Sequence, residues 1–484
     1  MLSVHIIMTI KRICLIATLV CLLLAIPLVG FNIPVPLRIS AETHYILTPM
    51  MSDGKRIDYF RAMEEKFYPP EMQTDDNGYR LIVRAFGVTV SEPHRQQTYE
   101  KLALDPNDEP TLNLVSPLNL LDDSQRKKFE QAPFWTFDDF PMLENWLEEN
   151  SAGIDVLAEA VRKPAFCMPF AREDENTSFG VSRSWLLLRD WTYAVSARAK
   201  YRLGIGNIDG AIDDIVTLYH FGRHIGKQGV LLAWAIGGMA EMEGYSIGLG
   251  SNPEFQPAKE QFARLLTELD ALPSRWSLGK VTELERYSML AVLQDMYWQN
   301  GSIDITPCCG SFWTKYQSWM LDFNVVMKRI NERHDKWSND DFAVTMYKPS
   351  RNPFSNLFLQ SRTNEFCQHI DLSLAGHSEN WGRKRECMEN MYRLTLTHLA
   401  GTPGELLRCP THPGLAEGET SYAIIDDASN PIVFVEILQP QKPGSHHYGK
   451  GFFVGYRSGA VQFLEDETAI DEVQKLFDIR SVSL

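Results

Sequence analysis

The sequence lacks most of the short motifs that identify the common catalytic sites. It contains no H-E-x-x-H zinc motif and no Walker loop. Its one G-x-S-x-G match, G-Y-S-I-G at residues 244–248, lies at the end of a predicted helix, whereas a nucleophile elbow joins a strand to a helix. It also has no C-x-x-C pair, which excludes the usual spacing of a zinc ribbon or a thioredoxin-like redox site. We therefore assign no catalytic residue from the sequence, and we expect no cofactor.

Basic residues are scarce relative to acidic ones. The chain of 484 residues has 47 lysines and arginines against 62 aspartates and glutamates, which gives a net charge of −15. An acidic surface repels the phosphate backbone of DNA and RNA. Nucleic acid is therefore excluded as an expected partner, and electrostatic attraction to anionic lipid is not expected from the chain as a whole.

Uncharged stretches are also rare, and the longest lies near the N-terminus. Residues 13–31 contain no charged side chain and follow Lys11 and Arg12 directly. Nineteen residues span about 28 Å as a helix, which matches the hydrocarbon core of a bilayer. The positive-inside rule keeps residues 1–12 in the cytoplasm. The pattern predicts a single-pass membrane protein whose bulk lies outside the cytoplasm.

Two interpretations of this segment differ in whether it is cleaved. A secretory signal requires a small-x-small cleavage site after a short apolar core. Here the apolar run continues to Phe31 and is followed by Asn-Ile-Pro-Val-Pro, without such a site. We favour an uncleaved signal-anchor over cleavage near Ser40. In both interpretations the rest of the chain is exported from the cytoplasm.

The number of cysteines is compatible with an exported protein but does not determine which cysteines form disulfides. Six of the eight cysteines lie outside the predicted anchor, and an even number in an exported chain permits disulfides. Their pairing cannot be deduced from sequence, and structural or reduced thiols are the simplest interpretation. The six are Cys167, Cys308, Cys309, Cys367, Cys387 and Cys409.

Helical periodicity dominates the middle of the chain. Residues 41–140 mix short helices and loops, whereas residues 141–340 form the predicted helical domain. A helix over residues 146–161 ends at Lys163-Pro164, since proline cannot continue it. Further helices are predicted between residues 184 and 272, over residues 281–299 and over residues 312–334. The predicted fold class is therefore mainly α.

One pair of helices in this domain resembles a tetratricopeptide hairpin. Ala199 precedes a Gly-Ile-Gly-Asn turn at residues 204–207, and Ala211 follows it. A working array needs about three such units, and only one is visible. We therefore keep two interpretations, a tetratricopeptide-like repeat and an ordinary αα-hairpin, and favour the second.

The last part of the chain, residues 355–484, has a different pattern. An amphipathic helical stretch that includes Met391 and Leu394 is followed by glycine and proline punctuation. Short runs rich in β-branched and aromatic residues then predict strands over residues 422–425, 432–438, 452–456 and 460–464. This order predicts a C-terminal α+β module in which one helix packs on a small antiparallel sheet.

The residues of this module resemble a known family. The run C-M-E-N-M-Y-R-L at residues 387–394 resembles the C-x-x-N-L-x-x-L helix of pseudopilin-like secreted proteins, which are abundant in planctomycete-type bacteria. Cys409-Pro410, a Ser-Tyr strand at residues 421–422, the turn at residues 425–430 and the G-A-V-Q-F-L hairpin at residues 459–464 follow in the family's order. The resemblance covers residues 380–466.

The chain departs from true pseudopilins at its N-terminus. It lacks the G-F-T-x-x-E peptidase site before the apolar segment, and more than 300 residues separate that segment from the predicted sheet. The resemblance thus implies the fold of the module and not assembly into a fibre. The helices over residues 146–161 and 185–272 also resemble regions of uncharacterised membrane-anchored planctomycete proteins.

Histidines near the C-terminus are weak candidates for metal ligands. His446 and His447 lie in a predicted loop, and His412 lies close to them in sequence. A metal site needs three or four converging ligands, and adjacent histidines in extended backbone point to opposite sides. Polar loop residues are therefore the simpler interpretation.

Four carboxylates on the predicted helices could serve acid–base chemistry. They are Asp213, Asp214, Glu241 and Glu243, and we expect them to lie on solvated helix faces. The glycines at positions 204, 206 and 210 miss the spacing of a dinucleotide loop and follow a helix instead of a strand. No nucleotide site is therefore expected there.

These observations lead to one favoured function and one alternative. The favoured function is a non-enzymatic protein-interaction or structural role in the cell envelope, with the membrane and an envelope protein as partners. The alternative is an exported hydrolase or metal-dependent enzyme, with its site in the helical domain or in the loop of His446 and His447.

Overall fold

The structure is a computed structural model, and it is mainly helical, as the periodicity predicts. The residues that it describes are 36–67, 73–88, 92–170, 185–229, 231–276, 278–298, 302–305, 314–317, 321–338, 378–401, 422–424, 432–436 and 452–464. The predicted anchor at residues 13–31 lies outside these ranges. Within them, no helix is long and apolar enough to cross a bilayer.

The described ranges contain the following helices in chain order. They are α1 (Tyr59–Phe67), α2 (Gly78–Phe86), α3 (Glu92–Lys101), α4 (Asp123–Gln131), α5 (Leu143–Val161), α6 (Trp185–Gly204), α7 (Ile208–Ile225), α8 (Leu231–Ser246), α9 (Lys259–Asp270), α10 (Leu278–Trp298), α11 (Phe323–Ser338) and α12 (Ser378–Leu399).

The chain divides into two compact units that alternate along the sequence. Unit 1 comprises residues 1–63, 174–179 and 286–376, and unit 2 comprises residues 64–173, 180–285 and 377–484. In unit 1, the side chain of Gln294 on α10 exchanges two hydrogen bonds with the backbone of Ile57, over 2.8 and 2.9 Å. Arg286 on α10 donates to Asn331 Oδ1 on α11 over 3.0 Å. These bonds fix α10 against α11 and the segment before α1.

Unit 2 is built around α6, α7 and α8, which pack against one another. The hairpin between α6 and α7 turns at Gly206, whose φ of +76° favours glycine, and Asn207 caps α7 by accepting from the Gly210 backbone N–H over 3.0 Å. Leu188, Trp191, Ala194 and Val195 on α6 are buried. The αα-hairpin is therefore present.

Two glycines bring α7 and α8 into close contact. A Cβ atom added to Gly222 on α7 would lie 2.5 Å from the carbonyl oxygen of Gly237 on α8. Any larger side chain at either position would push the helices apart, which overpacks a dense interior. The close approach places Glu241, one turn after Gly237, directly beside α7.

Several helix boundaries differ from the prediction by a few residues, and one differs by more. The predicted helix over residues 312–334 is wrong at its start, because α11 begins at Phe323. Residues 314–317 instead form strand β2 (Thr314–Gln317), which pairs antiparallel with β1 (Ser302–Ile305). Asp322 explains the boundary: its Oδ1 accepts the backbone N–H of Asn324 over 3.0 Å and so caps the helix.

Four strands in unit 2 form one antiparallel sheet. They are β3 (Tyr422–Ile424), β4 (Ile432–Glu436), β5 (Phe452–Tyr456) and β6 (Val461–Leu464), in the order β3-β4-β5-β6. Helix α12 contacts β4, β5 and β6 and also α8 and α9. Helix α8 contacts β6 as well, and the Gly250 N–H donates to the Ser458 carbonyl over 2.8 Å.

Candidate functional site: a buried arginine–carboxylate cluster

A carboxylate without any solvent exposure lies between the helices of unit 2. Glu241 on α8 accepts two hydrogen bonds from Arg385 on α12: Nη2 lies 2.6 Å from Oε1, and Nε lies 3.1 Å from Oε2. Arg275 donates from Nε to Oε2 over 2.9 Å and also from Nη2. Arg223 on α7 places its Nε 3.5 Å from Oε1. Three guanidinium groups therefore surround one carboxylate.

A second buried carboxylate joins the same arginines. Glu389 on α12 accepts from Arg223 Nη2 over 3.1 and 3.0 Å and from Arg393 Nε over 3.0 Å, and it also pairs with Arg275. Such charge-assisted bonds are about twice as strong as neutral ones. We call these side chains the arginine–carboxylate cluster. Its members are Glu241, Glu389, Arg223, Arg275, Arg385 and Arg393.

Aromatic rings form the apolar side of the cluster. Tyr245 lies 5.0 Å from Tyr219 and 5.1 Å from Tyr392 between ring centroids, and all three side chains are buried. The hydroxyl of Tyr245 accepts from Arg275 Nη2 over 3.0 Å. The rings cover one side of the cluster, and Glu241 has no solvent exposure, so the ion pairs at Glu241 are screened little by solvent.

The cluster carries an excess of positive charge. Arg393 also pairs with Asp270, so four arginines face three carboxylates. Arg385 is buried, and its Nη1 has no hydrogen-bond acceptor among the described residues, although the guanidinium lies 5.6 Å from the Trp234 ring. A buried cation is costly without a counter-charge, so Glu241 is required to keep Arg385 in place.

The electrostatics keep both glutamates ionised. Burial alone would raise the pKa of Glu241, but the positive charges of Arg275, Arg385 and Arg223 outweigh it and hold the pKa at about 2. The pKa of Glu389 is lowered in the same way, since Arg275 and Arg223 outweigh burial. A carboxylate with so low a pKa is a poor general acid or base near neutral pH. The cluster is therefore suited to holding helices together and not to proton transfer.

The low pKa of Glu241 predicts how stability changes with pH. The unfolded chain titrates this group near 4.5, so the ionised native form contributes stability above that pH and loses it as the pH falls toward 2. We expect Glu241 alone to account for about 3 kcal/mol of the loss between pH 5 and pH 2. Urea unfolding of the full chain in detergent micelles, followed by tryptophan fluorescence, measures it.

The matched comparison is the Glu241→Gln variant over the same pH range. Its free energy of unfolding should depend less on pH than that of the wild type, because a carboxylate with a strongly lowered native pKa has been removed. Equal pH dependence in the two proteins would contradict the assignment of the shift to Glu241.

The other carboxylates proposed from the sequence lie in separate ion pairs. Asp214 accepts from Arg198 Nη2 over 2.7 Å and pairs with Arg202 Nη1 over 2.9 Å. Asp213 accepts from Arg264 over 2.6 Å, and Glu243 accepts from the Ser196 hydroxyl over 2.5 Å. Each of these carboxylates therefore has its own hydrogen-bond donor.

The expectation that these carboxylates lie on solvated faces is wrong for two of them. Glu241 is fully buried and Asp214 is 1% exposed. Both are buried because arginines from other parts of the chain supply the charge that water would otherwise screen. Asp213 and Glu243 remain partly exposed, with 49% and 26% of their side-chain surface accessible.

The spacing within α12 is the signal that reveals half of the cluster. Arg385, Glu389 and Arg393 follow one another at intervals of four residues, which places them on one helix face and pairs Glu389 with Arg393. The partners on α7 and α8 and before α10 carry no such signal. Their positions follow from the packing of the helices and not from local sequence.

The histidines considered for a metal lie outside the described residues. They are His412, His446 and His447. Within the described ranges, no group of three or more histidine, cysteine, aspartate or glutamate side chains is placed to hold a metal ion. Cys167 is a free, buried thiol, and burial raises its pKa to about 12. Cys387 lies on α12, and the other four cysteines beyond the anchor lie outside the described ranges.

Comparison with known proteins identified no relative of the chain. No protein-family model matches the chain, and no similar curated protein or solved structure was found.

Proposed function

We propose that this protein is a single-pass membrane protein of the cell envelope whose helical body serves as a protein-contact scaffold outside the cytoplasm. The observation that carries the proposal is the uncharged run at residues 13–31 behind Lys11 and Arg12. A segment of this length and polarity places the rest of the chain across a membrane and tethers it there.

The geometry of unit 2 favours a scaffold over a hydrolase. A glycosidase-like site needs two carboxylates that face a cleft about 5–10 Å apart. Here the candidate carboxylates are each paired with cations or hydroxyl donors, and Glu241 has no contact with solvent. Such pairs make the helical body resistant to rearrangement, which suits a surface that presents a fixed shape to a partner.

The C-terminal part of the chain contributes a second element to the proposal. We assign residues 355–484 to a pseudopilin-like α+β module, in which α12 packs on the sheet β3–β6. The cluster joins α12 to α7 and α8, so the module and the helical body would act as one piece.

Affinity purification of an envelope partner tests the proposed role in protein contact. Leu232 at the start of α8 is 51% exposed, whereas Trp234 is buried, so Leu232 is the apolar side chain available to a partner near this position. Affinity purification of the full chain from detergent-solubilised envelope should recover a defined partner. The Leu232→Glu variant should lose it, and the Leu120→Glu variant, at a residue that is 52% exposed, should retain it.

Two outcomes would contradict the proposal. Recovery of no partner under several detergent and salt conditions would remove the contact role. Stoichiometric zinc or iron in the purified chain, lost in a His447→Ala variant, would instead favour the metal-dependent enzyme.

A further inference from the structure

The segment that follows the predicted anchor is fixed along α11 within unit 1. The Arg38 backbone N–H donates to Asn324 Oδ1 over 2.8 Å, and Asn324 Nδ2 donates to the Pro36 carbonyl over 2.9 Å. Two turns further along α11, Asn331 Nδ2 donates to the Glu42 carbonyl over 3.1 Å. The chain therefore leaves the predicted anchor and is held at once by a folded helix.

The distance from the bilayer to this helix is short. The predicted anchor ends at Phe31, and Pro36 is already bonded to Asn324. Five extended residues span at most about 18 Å, and the headgroup layer itself occupies about 5–8 Å on each side of the hydrocarbon core. Granted the membrane anchor of the proposed function, the start of α11 must lie no more than about 10–13 Å beyond the headgroup layer.

The surface at this end of α11 exposes apolar side chains. Val325 follows Asn324 and is 42% exposed, and Ile39 follows Arg38 and is 38% exposed. The first turn of the helix is already capped by Asp322, so its backbone N–H groups are not directed at an external anion. The exposed cation Lys328 pairs with Glu42 over 3.3 Å. Arg38, beside Ile39, is exposed as well. The surface therefore offers apolar contact together with one guanidinium group.

We propose that the first turn of α11 and residues 36–39 form a membrane-contact surface of unit 1. Ile39 and Val325 enter the interfacial region of the extracytoplasmic leaflet, and the phospholipid bilayer is the partner. Two partly exposed side chains would bind a membrane weakly from solution. Because the anchor holds them close by, the contact is intramolecular and a weak interaction suffices. Unit 1 thus contacts the membrane surface through the N-terminal end of α11.

Lipid photo-crosslinking in the full chain tests this surface. The chain is reconstituted in phosphatidylcholine vesicles that contain tritiated lipid, with a benzophenone amino acid in place of Val325. The matched control carries it in place of Glu332, which is exposed on the same helix two turns later, about 10 Å away. We expect at least about fivefold more lipid adduct at position 325, and Ile39→Asp should reduce that yield by about fivefold.

Flotation of the vesicles separates the two proposals. If the chain floats with the vesicles but the adduct at position 325 is no higher than at position 332, the membrane-contact surface is wrong and the anchor stands. An adduct yield at position 325 that is unchanged by Ile39→Asp also overturns the surface. If the chain does not float with the vesicles, the anchor is wrong and the surface is overturned with it.

Discussion

Replacing Glu241 with glutamine should lower the free energy of unfolding by about 3–5 kcal/mol, the typical cost of leaving buried charges unpaired. The variant keeps the size of the side chain but removes the charge that faces three guanidinium groups. Arg385 is then left without its closest counter-charge in a buried site. Urea unfolding of the full chain in detergent micelles at pH 7 measures the change.

A control and a double variant separate charge pairing from a general loss of packing. Asp213→Asn on α7 removes a partly exposed partner of Arg264 and should cost no more than about 1 kcal/mol. In the double variant Glu241→Gln with Arg385→Met, one positive and one negative charge disappear together. Its loss should be smaller than the sum of the two single losses by about 2 kcal/mol. Additive losses would show that the two side chains are not coupled.

Two arginines in the middle of the apolar segment should remove the chain from the membrane. Leu22 lies at the centre of residues 13–31, and Leu23 follows it. An arginine near the centre of a membrane helix costs about 2.5–3.5 kcal/mol for insertion, so Leu22→Arg with Leu23→Arg should cost about 5–7 kcal/mol. Alkaline carbonate extraction of membranes, followed by immunoblotting, measures the bound fraction.

The control for this prediction keeps the segment apolar. Leu22→Val with Leu23→Val should leave the membrane-bound fraction unchanged, because valine remains favourable at the centre of a membrane helix. If the double arginine variant stays bound as well as the valine variant, residues 13–31 are not the attachment.

Helices α5 and α7 of unit 2 were predictable because each has a periodic apolar face and a recognisable local boundary. Lys163-Pro164 follows α5, which ends at Val161, and the turn at Gly206 separates α6 from α7. These signals are local, since proline and a positive φ act on the residues that contain them. Secondary structure of this kind needs no knowledge of the partners of each helix.

The region before α11 was not predictable in the same way. Residues 312–334 have apolar and aromatic residues at spacings that suit a helix, yet residues 314–317 pair with residues 302–305 as a hairpin. A short apolar run is compatible with either structure, and the cap at Asp322 decides where the helix begins. Asp322 could have been recognised in the sequence as a helix cap, but the helical spacing of apolar residues continues on both sides of it.

The arginine–carboxylate cluster shows the limit of inference from sequence. Glu241 and Glu243 lie two residues apart on the same helix, and only Glu241 is fully buried. The difference is due to Arg385, which is 144 residues away, and to the close approach of α7 and α8 at Gly222 and Gly237. Solvation of a helix face cannot be judged until its distant partners are known.

The most direct test of the account is the location of the C-terminus of the membrane-bound chain. Cells express the full chain with an epitope tag after Leu484, and intact spheroplasts are treated with proteinase K before carbonate extraction. We expect the chain to stay in the carbonate-washed membrane, and we expect the protease to remove the tag while a cytoplasmic marker stays intact. A full-length, tagged chain recovered from the soluble cytosol would contradict it.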